Sequence, residues 1–187
     1  MRLKPCLYTL VFLALYLTGC ASSKNDVPPS QTDLLARTWV FNTITIQTDA
    51  KVYAINATQE ELVGENNTVT LAKDGTYTYR RSGKPITGRW LLTNDKILTL
   101  TDADNSRTIW TVNTLTATSL DLATMTVNLT KGSDLTNTNV YTPEESSVAI
   151  SSVFLLASLD KQYGGTIDFT EEPTPRSVQI MLKGTAR

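Results

Sequence analysis

The sequence predicts an all-β domain, an antiparallel meander of about eight strands that closes as a sandwich or a barrel. Two observations carry this reading. Beyond Gly19, threonine fills 29 of 168 positions, and a β-branched side chain, restricted at χ1, suits a pleated strand better than a helix. Runs of strand-forming residues also alternate with turn residues at roughly 8 to 12 positions, the spacing of sandwiches and barrels. A single helical signature, in the C-terminal half, interrupts the pattern.

The chain opens with Met1-Arg2-Leu3-Lys4-Pro5, a positive leader, followed by an uncharged apolar run from Cys6 to Leu17. That run has the length of a signal-peptide core and is shorter than the roughly 20 residues a spanning helix needs. It ends at Leu17-Thr18-Gly19-Cys20, after which Ala21-Ser22-Ser23-Lys24-Asn25-Asp26 is polar. The four residues ending at Cys20 resemble the lipobox of bacterial lipoproteins. The resemblance implies that residues 1–19 are removed and that the Cys20 thiol carries the lipid. Two or three acyl chains, at about 0.8 kcal/mol per buried methylene, would make such an anchor effectively permanent. Cys6 falls in the removed part, so no disulfide is expected and the core alone must hold the domain. Ala21 follows the cysteine where an aspartate would resemble an inner-membrane retention signal. The expected location is therefore the outer membrane, with the periplasmic face and the cell surface both open. The Pro28-Pro29 stretch reads as part of a flexible tether over residues 20–33, with the barrel domain occupying residues 34–187.

Strands are expected at Thr38–Gln47, Thr68–Ala72, Thr76–Arg81, Ile86–Leu92, Ile97–Thr101, Thr108–Asn113, Ser119–Ala123, Ile167–Thr170 and Ser177–Leu182. Lys73-Asp74-Gly75 gives the clearest hairpin, Asp-Gly supplying the positive φ angles of a tight turn. Asn94-Asp95 and Asp102-Ala103-Asp104-Asn105 mark the next two turns. Each strand should pair with the one before it.

Thr142-Pro143-Glu144-Glu145 combines an N-cap, a proline at the first helical position and a capping-box glutamate. A helix should follow to about Gln162 and stop at Gly164-Gly165, turning Val148, Leu155, Leu159 and Tyr163 toward the core. The β-branched Val148, Ile150 and Val153 and the frequent serines keep a strand as the alternative over 143–162. The polar stretch from Lys131 to Tyr141 reads as a loop.

The chain has no histidine, which removes the commonest general base and metal ligand together with every Ser-His or Cys-His pair. Ser158-Leu159-Asp160-Lys161 has S-x-x-K spacing, but S-D-N and K-T-G are both absent. The pairs Glu60-Glu61, Glu144-Glu145 and Glu171-Glu172 suit solvated surface. Asp102-Ala103-Asp104-Asn105-Ser106 begins like a calcium loop, yet Arg107 occupies the glycine position and no twelfth-position glutamate follows. No catalytic residue, metal or cofactor is expected, and the protein reads as a non-enzyme. Past Gly19 the chain carries 15 basic and 18 acidic residues. With Arg80-Arg81 its densest basic spot, it offers nucleic acid no phosphate-binding patch.

Aromatic residues give the one hint of binding. Tyr77 and Tyr79 share a strand face, and Trp39, Phe41 and Trp90 lie on neighbouring segments; the rings either line a cavity or form plain core. Three stretches carry a family likeness: Leu34-Leu35-Ala36-Arg37-Thr38-Trp39, then Leu71-Ala72-Lys73-Asp74-Gly75-Thr76-Tyr77-Thr78-Tyr79, then Thr87-Gly88-Arg89-Trp90-Leu91-Leu92. With Ile97-Leu98-Thr99-Leu100, Thr108-Ile109-Trp110-Thr111-Val112 and Ser119-Leu120-Asp121-Leu122, they resemble the lipocalin-like β-barrel lipoproteins common in Bacteroidetes. The family's first-strand G-x-W is here Arg37-Thr38-Trp39, its glycine appearing only at Gly88. The resemblance implies a lipocalin-like barrel with an external helix near the C-terminus and a final strand that closes against the first. It also implies a binding protein without naming a ligand. Two functions follow as expectations: binding of a small apolar or amphipathic molecule by Trp39, Phe41, Tyr77, Tyr79 and Trp90, or a structural or adaptor role with a filled barrel and loops such as 131–141 touching other envelope proteins.

Overall fold

The computed structural model describes residues 28–187 except 56 and 58–61. The signal segment, the lipobox and Cys20 lie outside the described residues. Among the described residues ten strands form one sheet: β1 (Thr38–Thr48), β2 (Val52–Ile55), β3 (Thr68–Leu71), β4 (Thr76–Arg81), β5 (Lys84–Thr93), β6 (Ile97–Asp102), β7 (Arg107–Leu115), β8 (Ser119–Ala123), β9 (Val127–Asn128) and β10 (Ser177–Ala186). Eight of them close into an antiparallel barrel. Pairing runs in sequence from β3 to β8, then β8 to β10, and β10 pairs with β1 from Thr48↔Val178 to Trp39↔Ala186. This is a lipocalin-like architecture. The short β2 and β9 extend β1 and β10 outside the closed circuit.

Alternation along each strand sets the interior. On β1, Trp39 and Phe41 point inward, Asn42 is the extra residue of a bulge, and Ile44 and Ile46 point inward again. A second bulge separates Val112 from Thr114 on β7. Such bulges let a strand bend and strengthen its twist, as barrel closure requires.

Helix α1 (Gln31–Leu35), N-capped by Ser30, begins before the expected domain start and inside the stretch read as a tether. Its Leu35 is fully buried and accepts the Trp39 indole N–H at 2.9 Å on the main-chain oxygen, which plugs one end of the barrel. Helix α2 (Pro143–Leu159) settles the ambiguous segment as helix. Thr142 Oγ1 accepts from Glu145 N at 3.2 Å, and Glu145 Oε2 accepts from Thr142 N at 3.0 Å, completing the capping box. After Leu159 the chain tightens into a 3₁₀ turn, Lys161–Tyr163, and Gly164 leaves it at φ +92°.

Four expectations need correction. Ile167–Thr170 is no strand: Ile167 makes a lone parallel bridge with Asp160, and Asp168 Oδ1 accepts from Thr170 N and Oγ1, curling the segment into a turn. Tyr163 falls in the 3₁₀ turn, off the helix face, and is 68% exposed. Asp74 does not take positive φ; at that turn only Gly75 does, while Asp74 Oδ1 accepts from Thr76 N at 2.9 Å. The tight turn with two positive φ residues occurs instead at Asn94-Asp95 and at Ser82-Gly83. Finally, α2 does not lie on the outer wall, because its Ser147 and Val148 stand beside inward-facing Ile180 and Thr124. It lies across the barrel end opposite the plug.

Candidate functional site

Between the plug and α2 the barrel contains a cavity of about 240 Å³. Its inner wall is apolar, from Val69, Leu100, Trp110 and Ile180 on the strands and Leu62 and Val63 on the β2–β3 connection. Toward α2 the wall turns polar, with Asp102, Thr108, Thr124, Ser147 and Ser151, and Arg81 at the rim. Below it only a gap of about 20 Å³ remains, bordered by Phe41, Leu71, Leu98 and Leu182. The barrel is thus filled at one end and open at the other.

One row of residues across three strands shapes the polar wall. Tyr77 on β4 pairs with Gly88 on β5, and Gly88 pairs with Asp102 on β6, so all three face inward side by side. A Cβ on Gly88 would sit 2.6 Å from the Tyr77 ring and 2.4 Å from the Thr101 carbonyl oxygen. Only glycine lets the ring cross β5, and the Tyr77 hydroxyl then donates to Asp102 Oδ1 on the far strand. Burial pushes the Tyr77 phenol well above its ordinary value, and the hydrogen bond to the Asp102 carboxylate pushes it the same way. Tyr79 lies parallel to Tyr77, with ring centroids 6.1 Å apart. Burial raises its pKa too, aided by the Asp102 charge and opposed by Arg81, whose guanidinium lies 5.7 Å from the Tyr79 ring. Ser106 Oγ donates to the other Asp102 oxygen at 3.3 Å.

The β2–β3 connection becomes a wall because Asn67 is fully buried within it. Its side-chain oxygen accepts from Leu62 N at 2.8 Å and Val63 N at 3.1 Å, while its amide donates to the Ala57 carbonyl at 2.8 Å.

Of the five aromatics singled out in the sequence, Tyr77 and Tyr79 line the cavity, and Phe41 borders only the small gap beneath it. Trp39 and Trp90 line neither space. Both belong to the plugged end, where each indole N–H is satisfied by a main-chain oxygen, Leu35 for Trp39 and Ala72 at 2.9 Å for Trp90. Trp110 lines the cavity and was not singled out. Its signal lay in the alternation of β7, which puts Thr108, Trp110 and Val112 on one face. Asp102 stood out in the sequence only as a turn residue and as the start of a calcium-loop-like stretch.

Comparison with models of protein families, with curated proteins and with solved structures finds no match to this chain. The class of protein rests on architecture alone, a lipocalin-like barrel with a cavity beneath its helix. Among the described residues no group of three or more carboxylate or thiol side chains gathers around one point where a metal ion could sit. Among the same residues no helix is long and apolar enough to cross a membrane.

Proposed function

We propose that this chain is a non-enzymatic lipoprotein of the outer membrane, belonging with the lipocalin-like lipoproteins, whose barrel holds a small apolar or amphipathic molecule in the cavity beneath α2. The cavity carries the reading. A barrel of eight strands is just wide enough for side chains to fill it or for one small ligand to be held, and here the filling stops halfway. An apolar wall with a few convergent polar groups is the usual make-up of a small-molecule site. The test is organic extraction and native mass spectrometry of protein purified from its own cells. A bound small molecule at near-stoichiometric amount is expected, and repeated recovery of the bare protein would end the proposal.

The anchored location rests on the lipobox. Replacing Cys20 with serine should replace the acylated mature chain with the heavier uncleaved precursor; unchanged detergent partition at the mature mass would refute it.

A second reading, an adaptor that works through protein contacts, draws support from the outward face of α2. There Phe154 is 71% exposed and Val153 is 46% exposed, although such side chains usually find cover. The 131–141 loop suits that role less well. Tyr141 is buried with its hydroxyl donating to the Gly132 carbonyl, and Lys131 pairs with Glu145 at 2.6 Å, so both ends are pinned. Crosslinking in intact cells through a photoreactive residue at Phe154 separates the two readings.

A further inference from the structure

We propose that the molecule held in the cavity carries a protonated amine, which sits against Asp102 with its apolar part directed toward Trp110 and Leu100. This rests on the cavity-binding reading above and adds the chemistry of the ligand's head.

Asp102 is the one carboxylate among the described residues lining the cavity. No lysine or arginine among those residues comes within 4.0 Å of it, and its hydrogen-bond partners are two neutral hydroxyls, those of Tyr77 and Ser106. A carboxylate carried on a cavity wall favours an opposite charge within about 4–6 Å, and a ligand ammonium is the group that would supply it. The surrounding rings suit the same ion. Tyr77, Tyr79 and Trp110 border one space with Asp102, and aromatic faces attract cations, most strongly where water is excluded. Arg81 is the competing feature, since it would attract an anion. It lies two positions beyond Tyr79 on β4, toward the strand's outer end. It is also exposed and already lies over the outer ring, Tyr79. Held over Tyr79 at the exposed rim, Arg81 is already engaged, so the head of a molecule seated deeper in the cavity meets Asp102 first.

Three probes with one skeleton and different heads decide the matter: 2-phenylethylamine, 2-phenylethanol and phenylacetate, titrated into the purified protein at neutral pH by calorimetry. The amine should bind about tenfold tighter than the alcohol, with phenylacetate the weakest. D102N should bring the amine to within about twofold of the alcohol, whereas R81A should not weaken the amine. Equal or tighter binding of the alcohol overturns the proposal, as does preference for phenylacetate lost in R81A. Should D102N fail to fold, judged by its circular dichroism, the ranking of probes on the unaltered protein decides alone. Absence of binding by all three, with no molecule recovered by extraction, removes the cavity-binding reading as well. A neutral or anionic molecule recovered from cells removes only the amine.

Discussion

Gly88 is the residue on which the cavity wall turns. Its missing side chain is the space through which Tyr77 reaches Asp102, so a single added methyl must displace both the ring and the Thr101 carbonyl. Gly88→Ala should cost about 1–3 kcal/mol, the usual range for overpacking a well-filled site, read as a lower urea midpoint with an unchanged slope. It should also weaken whatever the cavity holds. In the sequence this glycine stood out only for its place two residues before Trp90. The Tyr77–Gly88–Asp102 row is a matter of register between strands, which depends on where the turns at Ser82-Gly83 and Asn94-Asp95 fall. Trp39 and Trp90 were read as binding residues from their chemistry, but what decides their role is depth along the barrel, and no local pattern encodes depth.

At the scale of elements, most of the barrel was legible. Strands β4 and β8 have the expected ends, and β1, β3, β5, β6, β7 and β10 differ only in their limits, because alternation and turn residues are local signals. The misses have physical causes. Val52–Ile55 is four residues long, too short for alternation to stand out, and it is held by pairing with the second half of β1. Ile167–Thr170 has strand-forming side chains, but the Asp168 carboxylate bonds its own backbone neighbour and wins locally. Helix α2 carries apolar residues on its outward face too, so the 3.6-residue period is weak, and its cap was the better guide. That cap is testable: Thr142→Ala should remove about 1 kcal/mol, lowering the melting temperature by about 3 °C for a domain of this size. Serine at the same position should restore most of it.

At the scale of the whole molecule, pH dependence follows from which groups are displaced from their ordinary values. No histidine is present, so stability should be level between about pH 5.5 and 8. Below that, Glu172 is held down chiefly by its hydrogen bond from Lys51, Glu145 by that from Lys131, and Asp33 by that from Lys73. Folded values below the unfolded ones mean stability that is present above the unfolded carboxylate range and lost as pH falls from there through the lowered folded values. In alkali the sign reverses. Tyr53, Tyr77 and Tyr79 are all raised above 10.0, mainly by burial, so the stability they contribute is complete below pH 10 and declines above it. Absorbance at 295 nm should therefore show part of the tyrosine signal delayed in the native protein and released on unfolding in urea. A native titration that overlays the unfolded one would contradict this.

The plugged end carries a consequence for orientation. The chain enters the barrel beside Trp39, and its last residue, Arg187, donates its main-chain N–H to the Thr38 carbonyl at the same end. Helix α1 and Arg187 thus share the sealed base, while the cavity lies beneath the opposite rim. A lipid on Cys20, as proposed, would tether the domain from its sealed base, leaving the vessel's mouth at the end remote from the point of attachment.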